Sequence, residues 1–469
     1  MKGFMRVWLV LSFCLCTVVA CDSSSSDPGS ETDQALRRLI QANDLTGDPA
    51  GGLEVPSIDE PVAVLGRKLF FSKSLGGDQD SACVSCHHPA LGGGDGLALS
   101  IGVGADEPDL LGPGRTHPDG DFTVPRNAPT TFNLALWKKG LFWDSRVENL
   151  EDGGIRTPDS DYGTADADAG DTISAAQSRF PVTSPEEMRG FEFVLDGTNA
   201  ELRTALESRL TDDGRWAPEF EAVFGSPEIT YGRIAEAIGV YEDSQVFTGT
   251  PWRAYVRGDH DAIGEPAKRG ALLFFGLIED GGADCANCHA GDFFTDEDFH
   301  SIGAPQIGRG KGDGPRGTND YGRARETADR NERFSFRTPT LTNVSATSPY
   351  LHSGAYDNLA DVVRHHLDPQ AALERFDPAS VPLAASEDFD PNTQEMLDFL
   401  EVSGEAIEFF DTPFVYTDEQ VEDLVAFLET LTDPCVLDRA CLAPWIADPA
   451  TDDVDGQLLV AVDQEGSPL

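Results

Sequence analysis

Basic residues are scarce in this chain. Its 469 residues include 34 Lys and Arg against 82 Asp and Glu, a formal net charge of −48. So few cations exclude a general nucleic-acid binder, because a phosphate backbone must be neutralised. They also exclude an electrostatic grip on anionic lipid. A membrane-length apolar run is missing: Val7 to Ala20 supplies only 14 residues, too few to span a bilayer comfortably. Alternating strand-like patterns are thin. Core-forming residues are not lacking. Hydrophobic residues make up 40%, with 27 Phe and 6 Trp, whereas disordered chains combine high charge with few aromatics. The length suggests two or three domains.

The N-terminus reads as an address. Lys2 and Arg6 precede the apolar run, which ends in Val18-Val19-Ala20-Cys21 before Asp22 and a serine run. This is the pattern of a bacterial lipoprotein signal, with Cys21 as the lipidated first residue; an ordinary signal peptide with an incidental Cys is the alternative. Cleavage after residue 20 removes Lys2 and Arg6 and no acid, taking the charge from −48 to −50. Residues 21–55 follow as tether and N-terminal extension. A periplasmic location, oxidising for thiols, is expected. Of nine Cys, six lie beyond the signal region, at 83, 86, 285, 288, 435 and 441. Cys435 and Cys441 stand outside any motif and are expected to form a short disulfide rather than a free pair.

The other four Cys carry the chemistry. Cys83-Val84-Ser85-Cys86-His87 and Cys285-Ala286-Asn287-Cys288-His289 are both C-x-x-C-H, the spacing that attaches a c-type haem. Two thiols bond the porphyrin vinyl groups and the adjacent His reaches the iron. Zinc also takes C-x-x-C pairs but has no need of a fifth-position His in both. The motifs lie 202 residues apart, which places one haem in each of two domains. Apolar spacing predicts helices over Pro61–Phe71, Ile234–Phe247 and Asp418–Leu431, among Gly-, Pro- and Asp-rich loops. The expected fold is mainly α, two cytochrome c-like haem domains with long loops: an N-terminal domain over 56–250, a C-terminal domain over 251–445, and an acidic tail over 446–469.

From about Leu65 to about Pro434 the chain resembles the bacterial di-haem cytochrome c peroxidase family, which includes the MauG-type enzymes. The resemblance is carried by an ordered series of blocks around the two haem motifs. These are Leu65-Gly66-Arg67-Lys68-Leu69-Phe70, Arg126-Asn127-Ala128-Pro129-Thr130, Phe142-Trp143-Asp144-Ser145-Arg146, and Pro181 through Met188. After the second motif come Phe294-Thr295-Asp296, Phe299 through Gly303, Phe336 through Val344, and Thr347 through Gly354.

The resemblance implies reduction of hydrogen peroxide at the N-terminal haem. Electrons would arrive through the C-terminal haem from a small donor protein, a cytochrome c or cupredoxin. Trp143 matches the tryptophan between the haems, and the alternative for it is a plain core residue. Glu187 matches a carboxylate over the peroxidatic iron, where a proton must be moved; a first-turn acid on a solvated helix is the alternative. Gln177, ten residues earlier, matches a pocket amide that would hold peroxide or water. Between Trp143 and Gln177 the chain departs from the family by an acidic insert, Gly153 to about Ala175, expected to be a plain solvated loop, with a donor-docking or metal-binding insert as the alternative. Many family members carry a capping His near Ile101-Gly102-Val103-Gly104. None occurs there, which implies an open sixth site. His88 faces the wrong way, and His117 is a candidate cap.

At the second haem, counting fourteen residues on from His352 lands on His366. The resemblance therefore implies a bis-His iron, with His289 proximal and His366 distal. His365 points about 100° away if the stretch is helical, and Met396 sits too far along the chain. Asn127, with the carbonyls of Thr347 and Pro349, matches a calcium site between the domains. Homodimers are common in the family.

Three functions fit these expectations: a peroxidase, a MauG-like oxidase acting on a protein or organic substrate, and a pure electron carrier. From Phe376 to Asp438 there are 17 Asp and Glu and no Lys, Arg or His, which favours a basic or neutral redox partner.

Overall fold

The computed structural model describes residues 30–120, 123–194, 196–382, 388–403 and 415–469. The expected signal segment, Cys21 and the serine run lie outside them. The elements used below are helices α1 (Glu31–Ala42), α2 (Pro61–Phe70), α3 (Ile173–Ser178), α4 (Tyr231–Asp243), α5 (Glu265–Phe275), α6 (Leu359–Leu367) and α7 (Asp418–Glu429). Strands are short. β1 (Gly140–Leu141), β2 (Val147–Asn149) and β3 (Ile155–Arg156) form an antiparallel sheet, and β4 (Phe299–His300) pairs with β5 (Phe336–Arg337). The fold is mainly α, as expected.

Each haem motif belongs to a unit built on one helix crossing. In the first, α2 crosses α4 so closely that a β-carbon on Gly66 would lie 1.9 Å from the Ala237 carbonyl oxygen. In the second, α5 crosses α7, and a β-carbon on Gly270 would lie 1.9 Å from the Asp423 carbonyl oxygen. Only glycine permits either approach. Phe70 and Phe274 each follow one turn after the glycine and are buried. Around the first crossing Leu65, Leu69, Trp216, Ile234, Ile238 and Tyr241 form one core; around the second, Trp252, Phe274, Phe275, Phe294, Leu424 and Phe427 form another. Apolar burial of this kind stabilises by roughly 25 cal/mol per Å².

Side-chain caps set the helix ends. The Thr230 hydroxyl accepts from the Arg233 amide and opens α4 earlier than Ile234, while Ser244 closes it before Phe247. Thr417 opens α7 in a capping box with Gln420, and Thr430 closes it.

The first and last described segments each pack on the other unit. α1 packs on α5: Leu36 enters the second core, and buried Asp33 meets Lys268 at 2.9 Å and accepts from the Tyr255 hydroxyl at 2.8 Å. Burial alone would raise the Asp33 carboxyl, but those two partners and Ser30 hold it well below the usual range. Residues 446–469, expected as a separate tail, are instead built into the first core through Leu458, Leu459 and Ala461. Asp455 accepts from Trp216 Nε1 at 2.7 Å and from Ser74 Oγ at 2.6 Å. The Cys435–Cys441 disulfide is formed just before this segment.

Between the units, buried Arg126 pairs with Asp144 at 2.6 Å and with Asp320 at 2.6 Å. The acidic insert is exposed along most of 158–172 and is tied down at a few points. It contributes β3 and the start of α3, Asp166 pairs with Arg179 at 2.6 Å, and Asp159 pairs with Arg203. Asp161, Asp168 and Asp171 are exposed. The insert folds because its acids find buried arginines, a pairing that composition could not disclose.

Candidate functional site

A cavity of about 380 Å³ runs through both units and is lined by both C-x-x-C-H motifs. The thiols of Cys83, Cys86, Cys285 and Cys288 are unpaired in the fold. Three histidines face the cavity in one arrangement. His87 Nδ1 lies 3.1 Å from the Gly93 carbonyl, His289 Nδ1 lies 3.2 Å from the Phe294 carbonyl, and His366 Nδ1 lies 2.8 Å from the Val362 carbonyl. A ring whose Nδ1–H donates to a carbonyl keeps its Nε2 lone pair for a metal. Burial lowers the affinity of His87 and His289 for a proton, the latter to about 4, which keeps both rings neutral, as a metal ligand must be.

The donor set fits two covalently held c-type haems: two thiols and one Nε2 at each end of one apolar cavity. The rings of His289 and His366 have centroids 6.4 Å apart. Two imidazoles on opposite sides of one metal, each bonded at roughly 2.0 Å, would sit about 6 Å apart. His366 lies in the last turn of α6, next to His365. The His365 ring is fully buried with both nitrogens engaged, Nδ1 with the Tyr356 hydroxyl at 3.0 Å and Nε2 with the Ile302 carbonyl at 2.9 Å. His352 is stacked on Phe336 with centroids 3.6 Å apart.

At the first motif, Trp143, Gln177 and Glu187 all line the cavity. Trp143 Nε1 donates to the Asn127 carbonyl at 2.9 Å, and the Trp143 carbonyl accepts from the Arg337 amide at 2.9 Å. Gln177 comes from α3. Glu187 sits on a single π-helical turn, Pro185–Arg189, a local distortion frequent at functional sites. Burial raises the Glu187 carboxyl above its usual range; Arg146 and Lys311 oppose that rise only in part. Lys311 is itself lowered to about 8 by burial and by Arg146 and Arg126. Glu187 is thus an acid poised nearer neutrality.

The Ile101–Gly104 loop, the expected place of a capping His, packs directly on this turn: a β-carbon on Gly102 would lie 2.3 Å from the Glu186 carbonyl. His117 lies behind the loop, against Gly104, with its Nδ1 accepting from the Asp119 amide at 3.1 Å, and it is not a cavity-lining residue. His88 is buried beside Phe71, and its Nδ1 accepts from the Ala90 amide at 3.1 Å. Neither faces the first site.

Asn127, Thr347 and Pro349 all line the cavity. The Asn127 side-chain amide donates to the Leu97 and Ala98 carbonyls at 2.9 and 3.2 Å.

Sequence reasoning passed over Arg146, Lys311 and Arg337. Arg337 is buried, lies 3.4 Å over the Trp137 ring and donates to the Phe142 and Gly140 carbonyls. Arg146 and Arg337 stand inside blocks that were noted without roles. Lys311 stands in a glycine-rich loop that carries no periodic signal.

A family profile described as di-haem cytochrome c peroxidase matches residues 60–261. The cytochrome-c peroxidase IdrP1 of Pseudomonas sp. (strain SCT) is 30% identical over 331 residues, 66% of this chain and 72% of that protein. The methylamine utilization protein MauG of Methylorubrum extorquens is 27% identical over 427 residues, 90% of this chain and 91% of that one. Among solved structures, the diheme peroxidase BthA of Burkholderia thailandensis superimposes with a TM-score of 0.54 at 21% identity, covering 87% of this chain and 92% of that one. A MauG-like protein associated with microbial copper homeostasis does so with a TM-score of 0.56 at 22% identity, covering 85% and 97%.

Proposed function

The chain belongs to the di-haem cytochrome c peroxidase family, and we propose that within it the protein reduces hydrogen peroxide to water with electrons from a small redox protein. The observation that carries this reading is the single cavity joining the two haem-attachment motifs, with Glu187 and Gln177 at the first and His289 opposite His366 at the second.

The haems, when bound, supply the irons that carry electrons and activate the peroxide. The residues do the rest. Gln177 holds the peroxide or a water through its amide. The Glu187 carboxylate takes a proton from one peroxide oxygen and returns it to the departing one. Each turnover consumes two protons and two electrons and yields two waters. His289 and His366 would hold the second haem, which would supply the entry point for donor electrons, and Trp143 would stand between it and the first. At the first site His87 would hold the haem, and neither His117 nor the Ile101–Gly104 loop offers a further side-chain ligand.

The electron donor is basic or neutral, matched to the acidic block around α7, of which Asp423 and Asp418 are already paired with Arg269 and Arg364. Asn127 Oδ1 and the carbonyls of Thr347 and Pro349 hold Ca²⁺ between the units; metal analysis after mild chelation tests this. The protein is exported to the periplasm and anchored through Cys21, which mass spectrometry of the mature N-terminus checks. Resonance Raman and EPR spectra of the protein as isolated and half-reduced, followed by peroxide turnover with a reduced cytochrome, test the whole. A first haem that is six-coordinate and low-spin in every state would sink the peroxidase reading and leave an electron carrier.

The MauG match over nine-tenths of both chains favours a second reading, oxidation of a protein or organic substrate at the same pocket. The two part on whether peroxide is consumed with donor electrons alone or only when such a substrate is present.

A further inference from the structure

The two helix crossings are equivalent, which allows the cavity wall to be compared position by position. Gly66 meets Ala237 and Tyr241 on α4; Gly270 meets Asp423 and Phe427 on α7. Ile238 therefore corresponds to Leu424, and both line the cavity. The next cavity-lining residues in register are Glu242 and Leu428. A carboxyl group thus stands beside the first haem site where the second unit places leucine. Glu242 is 4% exposed, and its Oε2 is fully buried with no hydrogen-bond partner.

An unpartnered buried carboxyl costs stability, by a few kcal/mol if neutral and far more if ionised. Leucine would avoid that cost at a haem-contact position, as Leu428 does. We propose that Glu242 is the redox-linked proton site of the first haem. When that haem gains one electron from a one-electron donor, Glu242 takes up one proton from solvent; when the electron leaves, the proton leaves. The electron removes one positive charge from the cavity and the proton neutralises one negative charge, so the balance is one for one. Coulomb attraction in a dry cavity is the coupling, and by linkage it acts equally in both directions.

The charged and titratable groups around Glu242 are few. Asp243 follows it on α4 and is bonded to Ser174 on α3. Cys83 belongs to the first motif, where its thiol is taken up in attachment. Tyr241 donates its hydroxyl to the Trp445 carbonyl. Across the crossing, Arg67 of α2 is engaged by Asp452. No cation among the described residues is paired with Glu242. Burial and Asp243 both raise its carboxyl above the usual range, so the linkage falls at a pH above that of an ordinary carboxylate.

The test needs no peroxide and so is independent of the proposed reaction. The midpoint potential of the first haem is titrated in the haem-loaded protein from about pH 5 to about 10, with infrared difference spectra at each step. Wild type should show the potential falling by up to a tenfold change in redox equilibrium per pH unit, 59 mV for one electron, over a limited window. A protonated-carboxyl band should appear on reduction. Glu242→Gln should abolish its share of slope and band together, Glu242→Leu should do the same, and Glu242→Asp should restore a slope at a shifted pH. Glu187→Gln, in the same cavity, should keep the Glu242 share of both and lose at most the share of its own carboxyl. A slope and band that survive undiminished in Glu242→Gln, or vanish in Glu187→Gln, would overturn the proposal.

Discussion

Replacing Glu187 by Gln tests the proton chemistry most directly. The substitution keeps the size and hydrogen-bonding reach of the side chain and removes its capacity to carry a proton. Glu187 sits on a π-helical turn whose neighbour, the Ile101–Gly104 loop, is in backbone contact, so the turn has little room to shift and the variant should fold as wild type. Proton transfer by a positioned group contributes about 10²–10⁴-fold, or about 3–5 kcal/mol of barrier. The loss should fall on the reaction step and leave peroxide binding through Gln177 largely intact. The pH dependence has a definite sign. The working form is the carboxylate, and burial raises its pKa against Arg146 and Lys311. Wild-type kcat/KM should therefore decline as pH falls through a value above the ordinary carboxylate range. That limb should be missing in Glu187→Gln. Single-turnover mixing of the reduced protein with peroxide, with haem absorbance followed, measures both. A variant within about threefold of wild type, or one that keeps the acid limb, would refute the assignment.

Other substitutions have equally direct readouts. His366→Met should move the second-haem spectrum from bis-His to His/Met character and raise its potential, since Met ligation does so in cytochromes; His365→Met should leave that spectrum alone, because both His365 nitrogens already have partners. Asp455→Ala strips two buried donors, Trp216 Nε1 and Ser74 Oγ, of their acceptor. At roughly 1–3 kcal/mol each the loss should be about 2–6 kcal/mol, seen as a lower thermal midpoint; an unmoved midpoint would mean the C-terminal segment is not integral to the first core. Turnover with a basic donor should fall as salt rises, and indifference to salt would remove the docking role of the acidic block.

Local chemistry was legible in the chain because its reach is short. The two C-x-x-C-H motifs each span five residues, so covalent spacing alone announces a haem and its proximal His. The same holds for the helices, whose caps Thr230 and Thr417 lie beside the residues they serve. Glu187 and Gln177 were found through an ordered resemblance, and the fold brings both to one cavity. The ties of the insert were not legible, because the partners of Asp166 and Asp159, Arg179 and Arg203, lie outside it in sequence.

The sequence by itself determined the two haem-attachment motifs, which histidines stand next to them, the strongly acidic balance, and that the molecule is mainly helical. Only the tertiary structure decided which of two adjacent histidines is available. His365 is claimed by Ile302 and Tyr356, whereas His366 bonds its own helix and keeps Nε2 free. It also decided that α1 packs on the second unit and residues 446–469 on the first, and that Glu242 faces the first site where leucine faces the second. These outcomes depend on helix crossings set by glycines, between segments about 150 to 170 residues apart. Burial across such distances selects which atoms lose water, and nothing in a local window records it.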